Sequence, residues 1–431
     1  MINVRKIFVT DLFKVSFLNG ISTVIKMLTG LVSIKIVAAL IGPTGIALLG
    51  QLNNFTQILL SVSNGGVILG VTKYLSETRD SRRKYLYYLG TAFWITLVLS
   101  LVSGLVLVLF SGYFSRIILN APEYNYVFII FGVTIILYAF NALLVAAMNG
   151  FKEYGKYIKV NILSSLVGLI FAVTLCYYYG LKGALISAVT FQSVVFFLTI
   201  IIVAHSKWFE WQIFTRLFSV KILKQLSHFS LMALVSAIFV PVSQIMVRNL
   251  ISKNLSVNEA GIWEAMNRIS SMYLFVIITS LSVYYLPRLS ELKETNLIKK
   301  EVFSVYKLVI PFMVLSGLVI YFLRDFIIQV LFTSEFNNMR DLFSFQLSSD
   351  IIKMASWILG YILIARAMTR EYIIMEILHC TLFVLFSWLF IPYFGAKGAI
   401  FGYLASQIFY FFTIAFILRN IFFSTKTNFK K

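Results

Sequence analysis

Long apolar runs recur along this chain from one end to the other, separated by short polar stretches. Most reach the length of about 18 residues at which a helix can cross the ~30 Å hydrocarbon layer. Strand-type alternation is absent, which argues against a transmembrane barrel. The pattern predicts twelve helical spans, at 12–40, 46–71, 86–111, 125–149, 158–179, 184–204, 227–250, 262–286, 303–323, 342–365, 372–392 and 399–419. The expected fold class is an all-α polytopic membrane protein. Its loops are too short to fold as an extramembrane domain, so function is expected within the membrane layer.

Polar positions inside those runs are the informative exceptions. The second run opens on Gly42-Pro-Thr-Gly45 and carries Gln51, Asn53, Asn54, Gln57 and Asn64. Asn53, Gln57 and Asn64 share one helical face by spacing, Asn54 sits beside it, and Gln51 points away. Two readings stand: amides that join helices, or amides that line a wet cavity and meet sugar hydroxyls. A related stretch, from Gly261 to Glu291, carries Glu264 and Arg268 instead.

Short matches tie the two halves together. Tyr178-Tyr-Gly-Leu-Lys-Gly-Ala184 matches Tyr393-Phe-Gly-Ala-Lys-Gly-Ala399 at a spacing of 215 residues. Leu75-Ser-Glu77 matches Leu289-Ser-Glu291 at 214, Lys152-Glu-Tyr154 matches Arg370-Glu-Tyr372 at 218, and Pro122-Glu-Tyr124 is echoed by Ser334-Glu-Phe336 at 212. The expected organisation is an N-terminal six-helix lobe over 1–204, a linker over 205–225, a C-terminal six-helix lobe over 226–420 and a tail over 421–431. Six is even, so both lobes have one orientation, related by a pseudo-two-fold axis along the membrane normal. The linker is basic and aromatic. It reads either as an amphipathic helix with Trp208, Phe209, Trp211 and Phe214 at headgroup level or as a plain connector.

Composition agrees with the pattern: 60% of the 431 residues are hydrophobic and 13% charged, too little polar surface for a soluble domain. Most of the 37 Lys and Arg fall on the side that holds both termini, which the positive-inside rule places in the cytoplasm. Topology and attraction to anionic lipid account for the +20 net charge without a nucleic-acid partner. The start reads as a retained first helix, since Arg5 and Lys6 precede a long span with no cleavage signal.

Charges within spans each cost roughly 2.5–3.5 kcal/mol unless solvated or paired. Lys26 lies near mid-membrane, facing an aqueous cavity or bridged to an acid such as Asp350. Lys35 and Arg248 either face the same cavity or snorkel to an interface. Arg268 has Glu264 four residues earlier, an alternative intrahelical ion pair. Asp350 and Lys353 are three apart and are expected to pair; Glu376 and His379 repeat that spacing, as a hydrogen-bonded structural pair or a proton relay. Cys176 and Cys380 read as packing residues. No metal site is expected from three scattered histidines, and no cofactor. Gly150-Phe-Lys-Glu-Tyr-Gly-Lys156 has the form G-x-x-x-x-G-K, but Tyr157 replaces the hydroxyl that binds magnesium and no strand precedes it. No nucleophile–base arrangement is visible, so the chain is not read as an enzyme.

Across nearly its whole length the chain resembles the Wzx-type flippases of the polysaccharide-transport branch of the MATE-like (MOP) exporter superfamily. The likeness is carried by Gly42-Pro-Thr-Gly45, Gly70-Val-Thr-Lys-Tyr74, Phe229-Ser-Leu-Met-Ala-Leu234, Gly261-Ile-Trp263, Met339-Arg-Asp-Leu-Phe343 and Gly360-Tyr361, and is strongest toward the enterobacterial common antigen branch. Lys26, Lys35, Arg248, Asp350 and Lys353 fall where that branch carries similar charges, whereas Arg268 departs from it. The resemblance implies alternating access by two lobes in the bacterial inner membrane. The implied substrate is an undecaprenyl-pyrophosphate-linked oligosaccharide repeat unit, with a polysaccharide polymerase and a chain-length regulator as further partners. Lys26, Arg248 and Arg268 would then meet phosphate, and Asn53, Gln57 and Asn64 would meet sugar. A multidrug antiporter of the same superfamily is the alternative.

Overall fold

A computed structural model of the chain describes residues 4–210, 218–292 and 294–419; the side chains of 4–19, 227–230 and 283 lie outside that description. Among the described residues the secondary structure is helical throughout. In chain order the helices are α1 (Val4–Ser63), α2 (Ile68–Thr78), α3 (Arg82–Leu109), α4 (Ser111–Ile118), α5 (Asn125–Gly150), α6 (Tyr154–Ala204), α7 (Val220–Asn254), α8 (Val257–Ser280), α9 (Leu286–Glu291), α10 (Thr295–Phe322), α11 (Arg324–Leu331), α12 (Phe343–Ala365), α13 (Thr369–Phe394) and α14 (Ala396–Ile417).

Nine helices among the described residues are long and apolar enough to cross a membrane. Two of them, Gly20–Ser63 and Tyr154–Ala204, run far past one bilayer thickness. Each is broken by a glycine in the left-handed region, Gly42 (φ 61°) in α1 and Gly180 (φ 55°) in α6, and so supplies two spans. The more polar α8 completes the expected twelve.

Two compact units emerge, Met1–Ile41 with Gln51–Ile238, and Gly42–Gly50 with Phe239–Lys431. They share local geometry in detail. Gly180 and Gly395, 215 residues apart, have φ of 55° and 61°. A Cβ at Gly183 would fall on the Leu175 carbonyl, and one at Gly398 on the Phe390 carbonyl, again 215 apart. The α5–α6 and α12–α13 turns also agree bond for bond. Phe151, Lys152 and Glu153 donate to the carbonyls of Ala147, Asn149 and Met148; Arg366, Ala367 and Met368 donate to those of Ile362, Ile364 and Leu363. Lys152 and Ala367 occupy the left-handed position of this helix-ending turn, at φ of 59° and 52°. Lys152 is therefore equivalent to Ala367, and the match of Lys152-Glu-Tyr154 to Arg370-Glu-Tyr372 is out of register by three residues. Upstream the spacing is 214: Pro43, just after the Gly42 break, corresponds to Val257 at the start of α8, and Leu75 to Leu289, both buried.

The glycine pairs predict a clear stability result. Gly398→Ala is expected to lower stability by about 1–3 kcal/mol, because the backbone carbonyl it meets cannot rotate away. Gly155→Ala, with open space around it, should leave the thermal midpoint in detergent unchanged.

Two expected spans are corrected. The run over 46–71 is not one helix: it ends at Ser63, turns through 64–67 and resumes as α2. Gly65 and Gly66 both hold positive φ, 56° and 64°, which L side chains adopt only under strain. The run over 262–286 begins earlier, at Val257, and passes through a π turn (Leu281–Tyr285) into α9.

The linker is tied to the first unit. Its residues 205–210 form a turn, not a surface helix. Trp208 is buried and stacks on Phe151 at 4.8 Å and 12°. Arg82 donates twice to Glu210, at 2.8 and 2.5 Å, and these hydrogen bonds hold the Glu210 carboxyl below its ordinary value. Tyr88 reaches Gln225 at 2.8 Å. Trp211 and Phe214 lie outside the described residues.

Candidate functional site: a buried cationic centre in the second unit

Arg248 and Glu264 lie on the two arms of a helical hairpin. A cap fixes the hairpin's register: Ser256 Oγ accepts from the Glu259 N–H at 3.1 Å and starts α8 at Val257. Glu264 then stands two turns into α8, level with Arg248 on α7. Each Glu264 oxygen serves one arginine, Oε2 accepting from Arg248 Nη2 and Oε1 from Arg268 Nε at 3.1 Å. Arg248 is not a snorkelling helix-end residue: 3% of its side chain is exposed, and its guanidinium also lies 5.6 Å from the Trp263 ring centre. The Arg268–Glu264 ion pair expected from spacing is present.

Glu264 is held from behind. A Cβ at Gly50 would lie 2.6 Å from Glu264 Oε1 and 2.8 Å from its Cγ. Gly261 does the same for the backbone, since a Cβ there would fall on the Pro43 carbonyl. The short stretch Gly42–Gly50 thus belongs to the second unit because two glycines let it close on α8.

A second polar centre lies on the α12 side of α8. Asp350 is fully buried and accepts from Ser270 Oγ at 2.6 Å, Tyr273 OH at 2.5 Å and Gln346 Nε2 at 3.1 Å. The expected Asp350–Lys353 ion pair does not form within 4 Å. Lys353 lies over Trp357 and Tyr403 instead, 5.2 and 5.7 Å from their ring centres. The reason is competition: three neutral donors fill the Asp350 carboxylate, and aromatic faces hold the ammonium. The expected Glu376–His379 hydrogen bond is likewise replaced on the histidine side, where Nε2 contacts Gln407 Nε2 at 3.3 Å. Glu376 is half-buried on α13.

In the first unit Lys26 is exposed and Lys35 half-buried. Asn53 is half-buried and Gln57 exposed, so both remain on an accessible face. Asn64 leaves that face. The break after Ser63 turns it inward, where it is 2% exposed and donates to the Leu60 carbonyl at 3.1 Å. Sequence reasoning missed Ser270, Tyr273 and Gln346 as partners of Asp350; of these only Gln346, four residues before it, gave a local signal. It also missed Asn141, which bonds Gln192 at 2.7 Å and Thr199 at 2.6 Å in the first unit. By the 215-residue spacing Ile135 and Tyr138 stand where the second unit has Asp350 and Lys353, so these two charges are confined to one copy of the repeat.

An apolar groove of about 630 Å³ between α7 and α13, walled by Met246, Leu250, Val384 and Trp388, holds none of the expected site residues. No group of three or more metal-ligating side chains lies together among the described residues.

The polysaccharide biosynthesis protein family model matches residues 12–293. The chain belongs to that family. It is 33% identical over 406 residues to the Lipid III flippase of Escherichia coli (strain K12), covering 93% of this chain and 96% of that protein; the Lipid III flippase of Shigella flexneri matches equally. Among solved structures it is similar to an inward-facing multidrug resistance MATE family transporter of the MOP superfamily (TM-score 0.78, 13% identity, 93% and 96% of the two chains). It is also similar to the MATE multidrug transporter DinF-BH (TM-score 0.71, 15% identity, 96% of each chain). At that identity the likeness to MATE structures establishes the shared fold, a polytopic helical membrane protein in two lobes.

Proposed function

We propose that this chain is a flippase that moves undecaprenyl-pyrophosphate-linked oligosaccharide repeat units from the cytoplasmic to the periplasmic leaflet of a bacterial inner membrane. The product would feed O-antigen or related surface polysaccharide synthesis. Likeness to a Lipid III flippase over nearly the full length of both chains carries this reading. The buried arginine pair supports it, because a pyrophosphate crossing a low-dielectric layer needs cationic partners to offset its desolvation. In the second unit Arg268 is the phosphate-facing candidate, while Arg248, expected to meet phosphate itself, holds Glu264 from behind; Lys26 and Lys35 are the candidates in the first unit. Asn53 and Gln57 are the candidates for sugar hydroxyls. Both termini would be cytoplasmic, and transport would proceed by alternating access. Asp350, Lys353, Glu376 and His379 are the candidates for ion coupling, and a polymerase and a chain-length regulator would act on the delivered unit.

Complementation of a flippase-deficient strain tests the reading. The wild-type chain should restore surface glycan display, Lys26→Ala should reduce it several-fold, and Lys26→Glu should reduce it further. Restored drug resistance without glycan display would identify a multidrug antiporter instead. Unchanged display in both Lys26 variants would remove that lysine from the site.

A further inference from the structure

The cationic centre contains more donor than acceptor. Two arginines share the Glu264 carboxylate, and among the described residues the buried Arg268 Nη2 has no hydrogen-bond acceptor. The three side chains differ in freedom. Those of Arg248 and Glu264 are 3% and 11% exposed, and Glu264 is backed by the closely approaching Gly50. Arg268 is the more exposed of the two arginine side chains, at 21%, and its bond to Glu264 is the one that can be exchanged while the Arg248–Glu264 pair across the hairpin stays in place.

We propose that Glu264 is a resident counter-anion, a built-in stand-in for the phosphate. Arg248 anchors Glu264, and Glu264 holds Arg268 while the site is empty. An arriving phosphate takes Arg268 from Glu264, and Glu264 recaptures it when the phosphate leaves. This rests on the flippase reading above and adds to it a residue that sets affinity and release. The physical case is that guanidinium prefers a bidentate oxyanion, which a phosphate supplies and the one oxygen of Glu264 does not. A transport site must also bind weakly enough to let go. Exchange of one anion for another achieves this, because each substrate contact on Arg268 is offset by a lost contact to Glu264, and a buried charge is at no stage left bare.

The test measures binding and turnover separately, on full-length protein in lipid nanodiscs and proteoliposomes. The binding probe is undecaprenyl pyrophosphate, with undecaprenol as the uncharged reference. Glu264→Gln should bind the pyrophosphate about tenfold more tightly than wild type and turn over more slowly, since release loses its competitor. Because Glu264→Gln removes the charged partner that bonds Arg248 across the hairpin and risks misfolding, the double variant Glu264→Gln/Arg248→Gln is measured beside it and should show the same gain. Arg268→Ala should lose about tenfold in affinity in either background. Unchanged or weaker affinity in folded Glu264→Gln and in the double variant, with wild-type binding intact, overturns the exchange. If the wild type binds undecaprenyl pyrophosphate no better than undecaprenol, the functional reading fails and the exchange falls with it.

Discussion

Glu264→Leu is expected to be among the most destabilising single changes in the second unit, at roughly 3–5 kcal/mol. It removes the carboxylate shared by Arg248 and Arg268, and with it the counter-charge bonded to a guanidinium whose side chain is 3% exposed. Arg268 has a route outward, with about a fifth of its side chain exposed; Arg248 has none. The loss should therefore be tied to Arg248, and Glu264→Leu/Arg248→Met should recover most of it, since a well-packed apolar pair replaces a buried ion pair at little net cost. Thermal midpoints in detergent of the wild type, Glu264→Leu, Arg248→Met and the double variant complete a double-mutant cycle. A double variant no more stable than Glu264→Leu would show that Arg248 is not the charge left uncompensated.

Asp350→Ala is expected to have the second large effect. Three donors, from Ser270, Tyr273 and Gln346, converge on the carboxylate, and each buried donor left without an acceptor costs about 1–3 kcal/mol. Asp350→Asn keeps an acceptor oxygen in place and should fold with a thermal midpoint close to wild type. Transport is expected to be lost in both, because the neutral amide has the shape of the carboxylate but cannot exchange a proton or attract a cation. An Asn variant that transports at the wild-type rate would assign Asp350 a packing role only.

The spans were legible because a helix in hydrocarbon must be apolar along its whole length, and that requirement writes itself into the sequence. The repeat was legible where geometry demands glycine, as at Gly180 and Gly395, or at Gly183 and Gly398, where backbones meet. It was misread at Lys152-Glu-Tyr154, where three similar letters sit next to a turn whose left-handed position tolerates both Lys152 and Ala367. The break at 64–67 was hidden because the apolar run continues through it; the adjacent Gly65 and Gly66 were its one local sign. Arg248 with Glu264 was in principle derivable. The Ser256–Glu259 cap fixes where α8 starts, and counting back along α7 brings the two level. Asp350 was harder. Spacing offers Lys353 as its partner, but a carboxylate ringed by a serine, a tyrosine and a glutamine on two helices is a tertiary outcome.

The meeting of Gly50 with Glu264 has a bearing on descent. By the 214-residue spacing that pairs Pro43 with Val257, these two positions are equivalents. In a chain of two identical halves the same residue would stand at both and would face itself. Two glycines would leave a void in the apolar layer, and two glutamates would set carboxylate against carboxylate. Glycine opposite glutamate satisfies volume and charge together, but only if the halves are free to diverge. A homodimer, in which every substitution appears twice, is barred from that solution. The acid at the cationic centre is a feature that a duplicated gene could acquire only once its two copies were free to differ.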